Sequence, residues 1–261
     1  MAVFDINGNY LERNYDSTML SVNHRGYSNV APENTLPAYI LSKQMGFNYV
    51  ETDVSFTSDG VAMLLHDATI DRTSNGTGTL SEMTYDTVRQ YDFGSWKSLS
   101  YVNTVIPTLE EFLWLCKSIM LHPYIELKSN GGYTQSQINS VVDMVRDYGL
   151  RGKVSYISFS DVFLGYVRDY DPDARLGYLT STNGEESSAV TTCVNLKTGT
   201  NEVFCDIKYS IITEAECALF AAQGIPLEAW TVDTKSALLA LPKYISGITS
   251  NTLIAGKVLH D

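Results

Sequence analysis

Short apolar segments alternate along the chain with longer segments in which apolar residues recur every three or four positions. The first pattern predicts strands and the second predicts helices. The predicted strands are Met19–Asn23, Tyr49–Phe56, Val61–Leu65, Tyr124–Leu127, Val154–Ser158, Leu176–Leu179, Val203–Ile207, Pro226–Val232 and Ile245–Thr249. The predicted helices are Leu36–Met45, Leu109–Ile119, Gln135–Tyr148, Val162–Tyr170, Ala215–Gln223 and Lys235–Leu241, with a less regular one in the polar stretch before Asn195.

Repeated strand–helix units predict an α/β fold in which a parallel sheet is covered by helices. About eight such units suit a closed (β/α)8 barrel, and an open doubly wound sheet is the alternative. The segment 67–105 is long and rich in Ser, Thr, Gly and Tyr, which indicates an insertion loop or small subdomain after the second strand region. Without a linker or a repeat in the pattern, residues 1–261 are expected to form one domain.

The charge and the cysteines narrow the range of functions. The formal net charge of −12 argues against a nucleic-acid binder and against a protein held on anionic lipid. An acidic protein can still bind an anionic phosphate where a metal ion and a few cations reverse the local field. The four cysteines have no zinc-site spacing, so we expect buried free thiols.

The N-terminal residues carry no recognisable targeting signal. Met1–Tyr10 is mixed and polar, and no apolar run reaches the ~20 residues of a membrane-spanning helix. A cytoplasmic protein without a transmembrane segment is therefore the default expectation. An extracellular location stays open, because a leader peptide could have been removed, and the oligomeric state is not predicted.

Polar residues that could take part in catalysis or ligand binding cluster near the ends of several predicted strands. Side chains two apart on a strand share a face, which places Glu51 beside Asp53 and Glu126 beside Lys128. His24-Arg25 and His66-Asp67 follow two other strands. Carboxylates hold hard divalent cations, histidines exchange protons near neutral pH, and arginine binds phosphate through two hydrogen bonds. Each residue alone also has a structural reading, such as a solvated carboxylate or a core histidine.

The order of motifs resembles one known family. The matching motifs are His24-Arg25-Gly26, Ala31-Pro32-Glu33-Asn34-Thr35, Glu51-Thr52-Asp53, Asp59-Gly60, His66-Asp67, Asp71-Arg72-Thr73, Gly76-Thr77-Gly78, Ile106–Glu111, Ile125–Lys128 and Trp230-Thr231-Val232. Together they resemble the glycerophosphodiester phosphodiesterases, which belong to the phosphatidylinositol-phosphodiesterase-like TIM-barrel superfamily. The resemblance covers roughly residues 20 to 255. It favours the (β/α)8 TIM barrel and implies metal-dependent hydrolysis of a glycerophosphodiester to an alcohol and glycerol 3-phosphate.

The resemblance also implies roles for residues at the matching positions. His24 and His66 would be the catalytic acid and base, in an order that the sequence leaves open. Glu51, Asp53 and Glu126 would bind one divalent metal ion, Mg²⁺ or Ca²⁺. The residues that would contact the small-molecule substrate are Arg25, Lys128 and Trp230.

Other readings remain open at this level. The same residues could serve a phospholipase-D-like enzyme acting on lysophospholipid or sphingomyelin, or stand in an inactive wall- or surface-associated binding module. Glu33 and Asn34 could bond to His24 or cap the following helix. The family usually has an acidic residue and a proline after its last strand, where this chain has Ser250-Asn251-Thr252, and this departure weakens the case for a polar contact from the eighth strand.

Overall fold

The computed structural model describes residues 3–4, 10–11, 19–129, 132–184 and 186–252. The strands, in chain order, are β1 (Val3–Phe4), β2 (Tyr10–Leu11), β3 (Leu20–Asn23), β4 (Tyr49–Phe56), β5 (Ala62–Leu64), β6 (His122–Leu127), β7 (Ser155–Ser158), β8 (Arg175–Thr180), β9 (Val203–Lys208), β10 (Leu227–Trp230) and β11 (Ile245–Ser250). The helices are α1 (Leu36–Gln44), α2 (Tyr85–Val88), α3 (Leu109–Ile119), α4 (Gln135–Asp147), α5 (Asp161–Tyr170), α6 (Glu186–Leu196), α7 (Glu214–Ala222) and α8 (Lys235–Ala240).

Eight strands close into one parallel ring in the order β3–β4–β6–β7–β8–β9–β10–β11. The ring closes because β3 pairs on both sides, with β4 through Val22 and Tyr49 and with β11 through Val22 and Thr249. β5 is antiparallel to β4 and lies outside the ring. The fold is therefore a (β/α)8 TIM barrel, as predicted, and the open doubly wound alternative is wrong.

Apolar side chains fill both faces of the ring, as expected for strands that are covered on both sides. The interior cluster consists of Val22, Tyr124, Ile157, Leu179 and Phe204. The larger outer cluster joins the strands to the helices, which begin with threonine caps at Thr108, Thr134 and Thr213. In each cap the threonine side chain accepts a hydrogen bond from the third helical residue, whose own side chain accepts one from the threonine N–H, so the first turn of the helix is stabilised.

The insertion 67–105 packs around a core of its own. Its buried residues, together with neighbours from β5 and the start of the next segment, are Met63, Leu65, Ile70, Leu80, Val88, Phe93 and Ile106. Tyr85 and Tyr91 pack against this cluster, so these aromatic residues serve the loop's own structure. That 1–261 forms a single catalytic domain stays a prediction.

Several smaller predictions have outcomes. The four cysteines are buried and free, as expected. The irregular helix predicted before Asn195 is present as α6, although its amphipathic pattern is weak. Within the described ranges, no helix combines the length and apolar composition needed to cross a membrane. His260, which matches no motif, lies outside the described residues.

Candidate active site

A sharp turn after β3 directs polar groups toward the centre of the barrel. Arg25 and Gly26 both have positive φ angles, 56° and 74°. A Cβ at Gly26 would lie 2.7 Å from the Ala38 Cβ, so α1 can approach only a glycine at this position. The turn aims the Arg25 backbone N–H at Glu51 Oε2, to which it donates a 2.9 Å hydrogen bond.

Three carboxylates meet near the carboxyl ends of β4 and β6. Glu51 and Asp53 lie two apart on β4, and Asp53 is the register partner of Glu126 on β6. All three residues are buried, and one oxygen of each lies within 4.8 Å of the others. The predicted acidic triad is thus brought together by strand pairing.

The triad fits a hard divalent cation. Glu51 Oε1, Asp53 Oδ1 and Glu126 Oε1 are buried and accept no well-aligned hydrogen bond from the described residues. The Lys128 ammonium lies 2.8 Å from Glu126 Oε1 and 3.3 Å from Asp53 Oδ1 as an ion pair. Oxygen-only ligands of this kind suit Mg²⁺ or Ca²⁺.

The pKa shifts of the three carboxyl groups also indicate a site for a cation. Burial raises the pKa of Glu51 well above its usual range, with Asp53 and Glu126 adding to the shift. Burial and Asp53 raise the pKa of Glu126 to about 7. Burial also acts to raise the pKa of Asp53, but Arg25 and Lys128 outweigh it and hold that pKa below its usual range. Buried carboxylates that repel one another in this way are stabilised by a nearby positive charge.

His24 follows β3 and is oriented by the end of β11. Its Nδ1 lies 2.8 Å from Asn251 Oδ1. The Asn251 Nδ2 donates to Asp233 Oδ2 at 2.7 Å, and because a carboxylate only accepts, this bond fixes which end of the amide faces His24. His24 Nδ1 therefore carries a hydrogen and Nε2, 3.8 Å from Glu51 Oε2, is the free nitrogen. Burial and then Arg25 lower the pKa of His24 to about 4.

His66 is held by a chain of contacts that runs through Asp67 and Arg72 to Glu33. Its Nδ1 lies 2.7 Å from Asp67 Oδ1, and Arg72 Nε donates to Asp67 Oδ2 at 2.6 Å. Arg72 also donates twice to Glu33, at 2.7 and 2.8 Å. Burial acts to raise the pKa of Asp67, but the Arg72 and His66 hydrogen bonds lower it overall, so Asp67 stays ionised.

A cavity of about 180 Å³ opens among these groups. The predicted site residues that line it are His24, Arg25, Glu51, His66, Glu126, Lys128 and Trp230. Asp53 joins the site through two of the lining residues. Its carboxylate forms ion pairs with Arg25 Nε and with Lys128 Nζ, each at 3.3 Å. Trp230 stands edge-on to Phe159, with ring centroids 5.7 Å apart, and the two form an aromatic wall. All eight predicted site residues thus belong to one cluster.

Two sequence-based expectations need correction. Neither Glu33 nor Asn34 bonds to His24 or caps α1: Glu33 pairs with Arg25 at 2.8 Å, and Asn34 Nδ2 donates to Asp53 Oδ2 at 2.8 Å. The departure from the family motif weakened the case for a polar contact from the last strand, yet Asn251, directly after β11, supplies one to His24. No local pattern marks Asn251, because its contact with His24 spans 227 positions and depends on ring closure.

Comparison with known proteins places the chain among phosphodiesterases. Residues 24–252 match the family model described as the Glycerophosphoryl diester phosphodiesterase family. The chain is 26% identical over 247 residues to a glycerophosphodiester phosphodiesterase of Bacillus subtilis strain 168, covering 89% of this chain and 83% of that one. A glycerophosphodiester phosphodiesterase of Caldanaerobacter subterraneus is 30% identical over 160 residues, which is 61% of this chain and 66% of the relative.

A solved structure also shares the fold. A phosphodiesterase of Oleispira antarctica, solved in complex with the product sn-glycerol-3-phosphate, superposes with a TM-score of 0.81. It is 26% identical, and the match covers 89% of this chain and 92% of that one.

Proposed function

Because this chain belongs to the glycerophosphoryl diester phosphodiesterase family, we propose that it hydrolyses glycerophosphodiesters to sn-glycerol 3-phosphate and the headgroup alcohol. The observation that carries the proposal is the single cavity lined by two histidines, buried carboxylates and two cations. Its place at the carboxyl ends of the barrel strands is where barrels of this kind carry their chemistry. The product bound by the Oleispira antarctica phosphodiesterase supports the choice of substrate.

Glu51, Asp53 and Glu126 are the residues that would hold one divalent metal ion, Mg²⁺ or Ca²⁺. When bound there, the ion would supply positive charge to the phosphate and make a neighbouring hydroxyl more acidic. Arg25 supports the triad in two ways: its backbone N–H donates a hydrogen bond to Glu51, and its guanidinium forms an ion pair with Asp53 at 3.3 Å.

His24 is proposed as the general base. Its Nδ1–H is committed to Asn251, which leaves the lone pair on Nε2 facing Glu51 and the cavity. Because its pKa is lowered to about 4, the imidazole is neutral at pH 7 and can accept a proton. The proton comes from the attacking hydroxyl, which belongs either to water or to the glycerol of the substrate.

His66 is proposed as the general acid. Its Nδ1 lies 2.7 Å from Asp67 Oδ1, and Asp67 is itself fixed by Arg72, so the ring is held with its other nitrogen turned away from Asp67. The opposite nitrogen can then give its proton to the departing headgroup alkoxide. The two histidines therefore differ in their partners, an amide oxygen for one and a carboxylate for the other.

Arg25 and Lys128 are proposed to contact the phosphate. Both line the cavity and both are anchored by carboxylates, so their charges are held in place before substrate arrives. Trp230 is proposed as an apolar wall for the glycerol moiety, and its indole N–H is already bonded to the Asp206 carbonyl at 3.0 Å.

The test is choline release from glycerophosphocholine by the wild-type protein and three variants. His24→Ala and His66→Ala should each lower kcat by roughly 10²-fold or more, the usual scale of acid–base catalysis. His122→Ala is the matched control, because His122 lies at the start of β6 and does not line the cavity. EDTA should abolish turnover and added Mg²⁺ or Ca²⁺ should restore it.

The same assay separates the alternatives. Turnover of lysophosphatidylcholine or sphingomyelin but not glycerophosphocholine would favour the phospholipase-D-like reading. If the folded protein turns over none of the three substrates in the presence of the metal ions, the remaining interpretation is an inactive binding module. Near-normal kcat in either histidine variant would remove that histidine from the mechanism.

A further inference from the structure

A third acidic residue lines the cavity, beside Glu51 and Glu126, without a role in the proposed chemistry. Asp206 lies on β9, opposite Leu179 of β8 and Glu228 of β10 in the strand register. It shares a face of β9 with Phe204, which belongs to the interior cluster, so its side chain points into the barrel. Asp206 is only 1% exposed, yet it is one of the residues that line the cavity.

One oxygen of the Asp206 carboxyl group, Oδ1, is buried without a hydrogen-bond partner among the described residues. The neighbouring buried cation, Arg175, is committed elsewhere: it pairs with Glu228 at 2.6 Å and with Glu202 at 2.9 Å. Burying an unpaired polar group is costly, so such groups normally meet a ligand, a water molecule or a protein partner.

The surroundings of Asp206 define the chemistry of what it could bind. Trp230 donates its indole N–H to the Asp206 backbone carbonyl at 3.0 Å, and both residues line the cavity. Phe159, Leu179 and Ile157 complete an apolar lining on this side, whereas the cations Arg25 and Lys128 also line the cavity. A ligand that suits both regions has a phosphate and, beside it, a short carbon chain with hydroxyl groups.

We propose that Asp206 recognises the substrate by hydrogen-bonding a free hydroxyl group of its glycerol moiety. The inference rests on the proposed function and extends it to a specificity residue that no motif marks. Burial and the neighbouring Glu228 raise the pKa of Asp206 well above its usual range, so its carboxyl group can donate as well as accept. A hydroxyl group, which also does both, is a suitable partner.

The test measures binding of the product, because removing a substrate hydroxyl could also remove a nucleophile. Calorimetric titration in Mg²⁺ buffer compares sn-glycerol 3-phosphate with two analogues that each lack one hydroxyl, 3-hydroxypropyl phosphate and 2-hydroxypropyl phosphate. The proteins are wild type, Asp206→Leu and Asp206→Asn. Asp161→Asn is the matched control, since Asp161 is an exposed aspartate on α5 that does not line the cavity.

Asp206→Leu should weaken sn-glycerol 3-phosphate about 10-fold or more, the scale of losing a hydrogen bond in a buried site. One of the two analogues already lacks the hydroxyl group that Asp206 recognises. The affinity of the leucine variant for that analogue should be nearly the same as that of wild type. Asp206→Asn keeps a donor and an acceptor, so its affinity for sn-glycerol 3-phosphate should lie between those of wild type and Asp206→Leu. If the leucine variant does not fold, the asparagine variant is compared with wild type alone. Asp161→Asn should leave all three affinities unchanged.

Other outcomes overturn the inference. The inference is wrong if both Asp206 variants bind sn-glycerol 3-phosphate as tightly as wild type. It is also wrong if the affinity for all three ligands falls equally, because such a loss would mean a structural effect. If wild type still turns over glycerophosphocholine in these cases, the proposed function stands and only the role of Asp206 falls. Failure of wild type to bind sn-glycerol 3-phosphate or to hydrolyse the diester would overturn both.

Discussion

At the scale of single residues, the two histidines are distinguished by what holds their Nδ1 atoms. Asn251 is fixed by two bonds to Asp233, from its backbone N–H at 2.7 Å and from its side-chain amide at 2.7 Å. It therefore presents a rigid acceptor to His24. This arrangement sets the tautomer of the proposed base before substrate binds.

Asn251→Ala should lower kcat about 10-fold to 10²-fold while changing KM little, because the imidazole loses its fixed tautomer and orientation. The pH profile of kcat should shift as well, since the hydrogen bond to Asn251 acts to raise the pKa of His24. Asn195→Ala, an exposed position on α6, is the control. An unchanged kcat and pH profile for Asn251→Ala would mean that Asn251 does not position His24.

His24 should also make the fold sensitive to acid. Its pKa is about 4 in the folded protein and about 6.5 in an unfolded chain. Between these values the unfolded chain binds a proton that the folded protein resists, so stability should fall as the pH drops from 6.5 to 4. Chemical denaturation of wild type and His24→Asn across this range, in metal-free buffer, should show a shallower fall for the variant. Parallel curves would contradict the lowered pKa.

At the scale of elements, the turn between β3 and α1 decides whether the site forms. The hydrophobic pattern predicts both elements, but it does not reveal that Arg25, Gly26 and Asn34 must adopt positive φ angles. Those angles turn the Arg25 N–H toward Glu51 and the Asn34 amide toward Asp53. The connection is therefore part of the active site.

Gly26→Ala should destabilise the protein by about 2–3 kcal/mol and reduce activity, because it adds a clash with Ala38 to the strain of a positive φ. Gly46→Ala is the matched control: its φ is 94°, but a Cβ there would have no atom within 4 Å. The control should lose only about 1 kcal/mol, the strain of the positive φ alone, and keep its activity. Equal losses of stability and activity in the two variants would show that the close approach of α1 does not matter.

The sequence predicts elements and local motifs well and long-range contacts poorly. Strand periodicity places Glu51 beside Asp53 and Glu126 beside Lys128, because that rule acts over two residues. The link from Asn251 to His24 and the burial of Asp206 arise only when β11 and β9 take their places in the ring. The insertion's aromatic residues illustrate the same limit, since only the structure shows that Tyr85 and Tyr91 pack on a local cluster.

At the scale of the whole molecule, the buried carboxylates couple metal binding to stability. Burial raises the pKa of Glu51 and Glu126, which means that the ionised triad carries a cost without a cation. The carboxylates come from different strands of the ring, so an ion held by them would link β4 to β6. Metal binding should therefore stabilise the barrel as a whole.

Addition of Mg²⁺ or Ca²⁺ at about one hundred times its Kd should add about 2.7 kcal/mol of stability, by mass action. For a chain of this size that corresponds to a rise in Tm of about 5 °C or more. Glu51→Gln should reduce the rise, whereas Glu110→Gln, on the exposed side of α3, should leave it unchanged. A wild-type Tm that does not respond to either ion would argue against a resident metal.

The central claim is that this protein breaks the bond between the phosphate and the headgroup of a glycerophosphodiester. The most direct measurement is a ³¹P NMR time course of glycerophosphocholine with the wild-type protein and Mg²⁺ or Ca²⁺. We expect the diester signal to be replaced by that of sn-glycerol 3-phosphate, and the change to stop when EDTA is added. Appearance of phosphocholine instead, or a diester signal that never changes, would contradict the account.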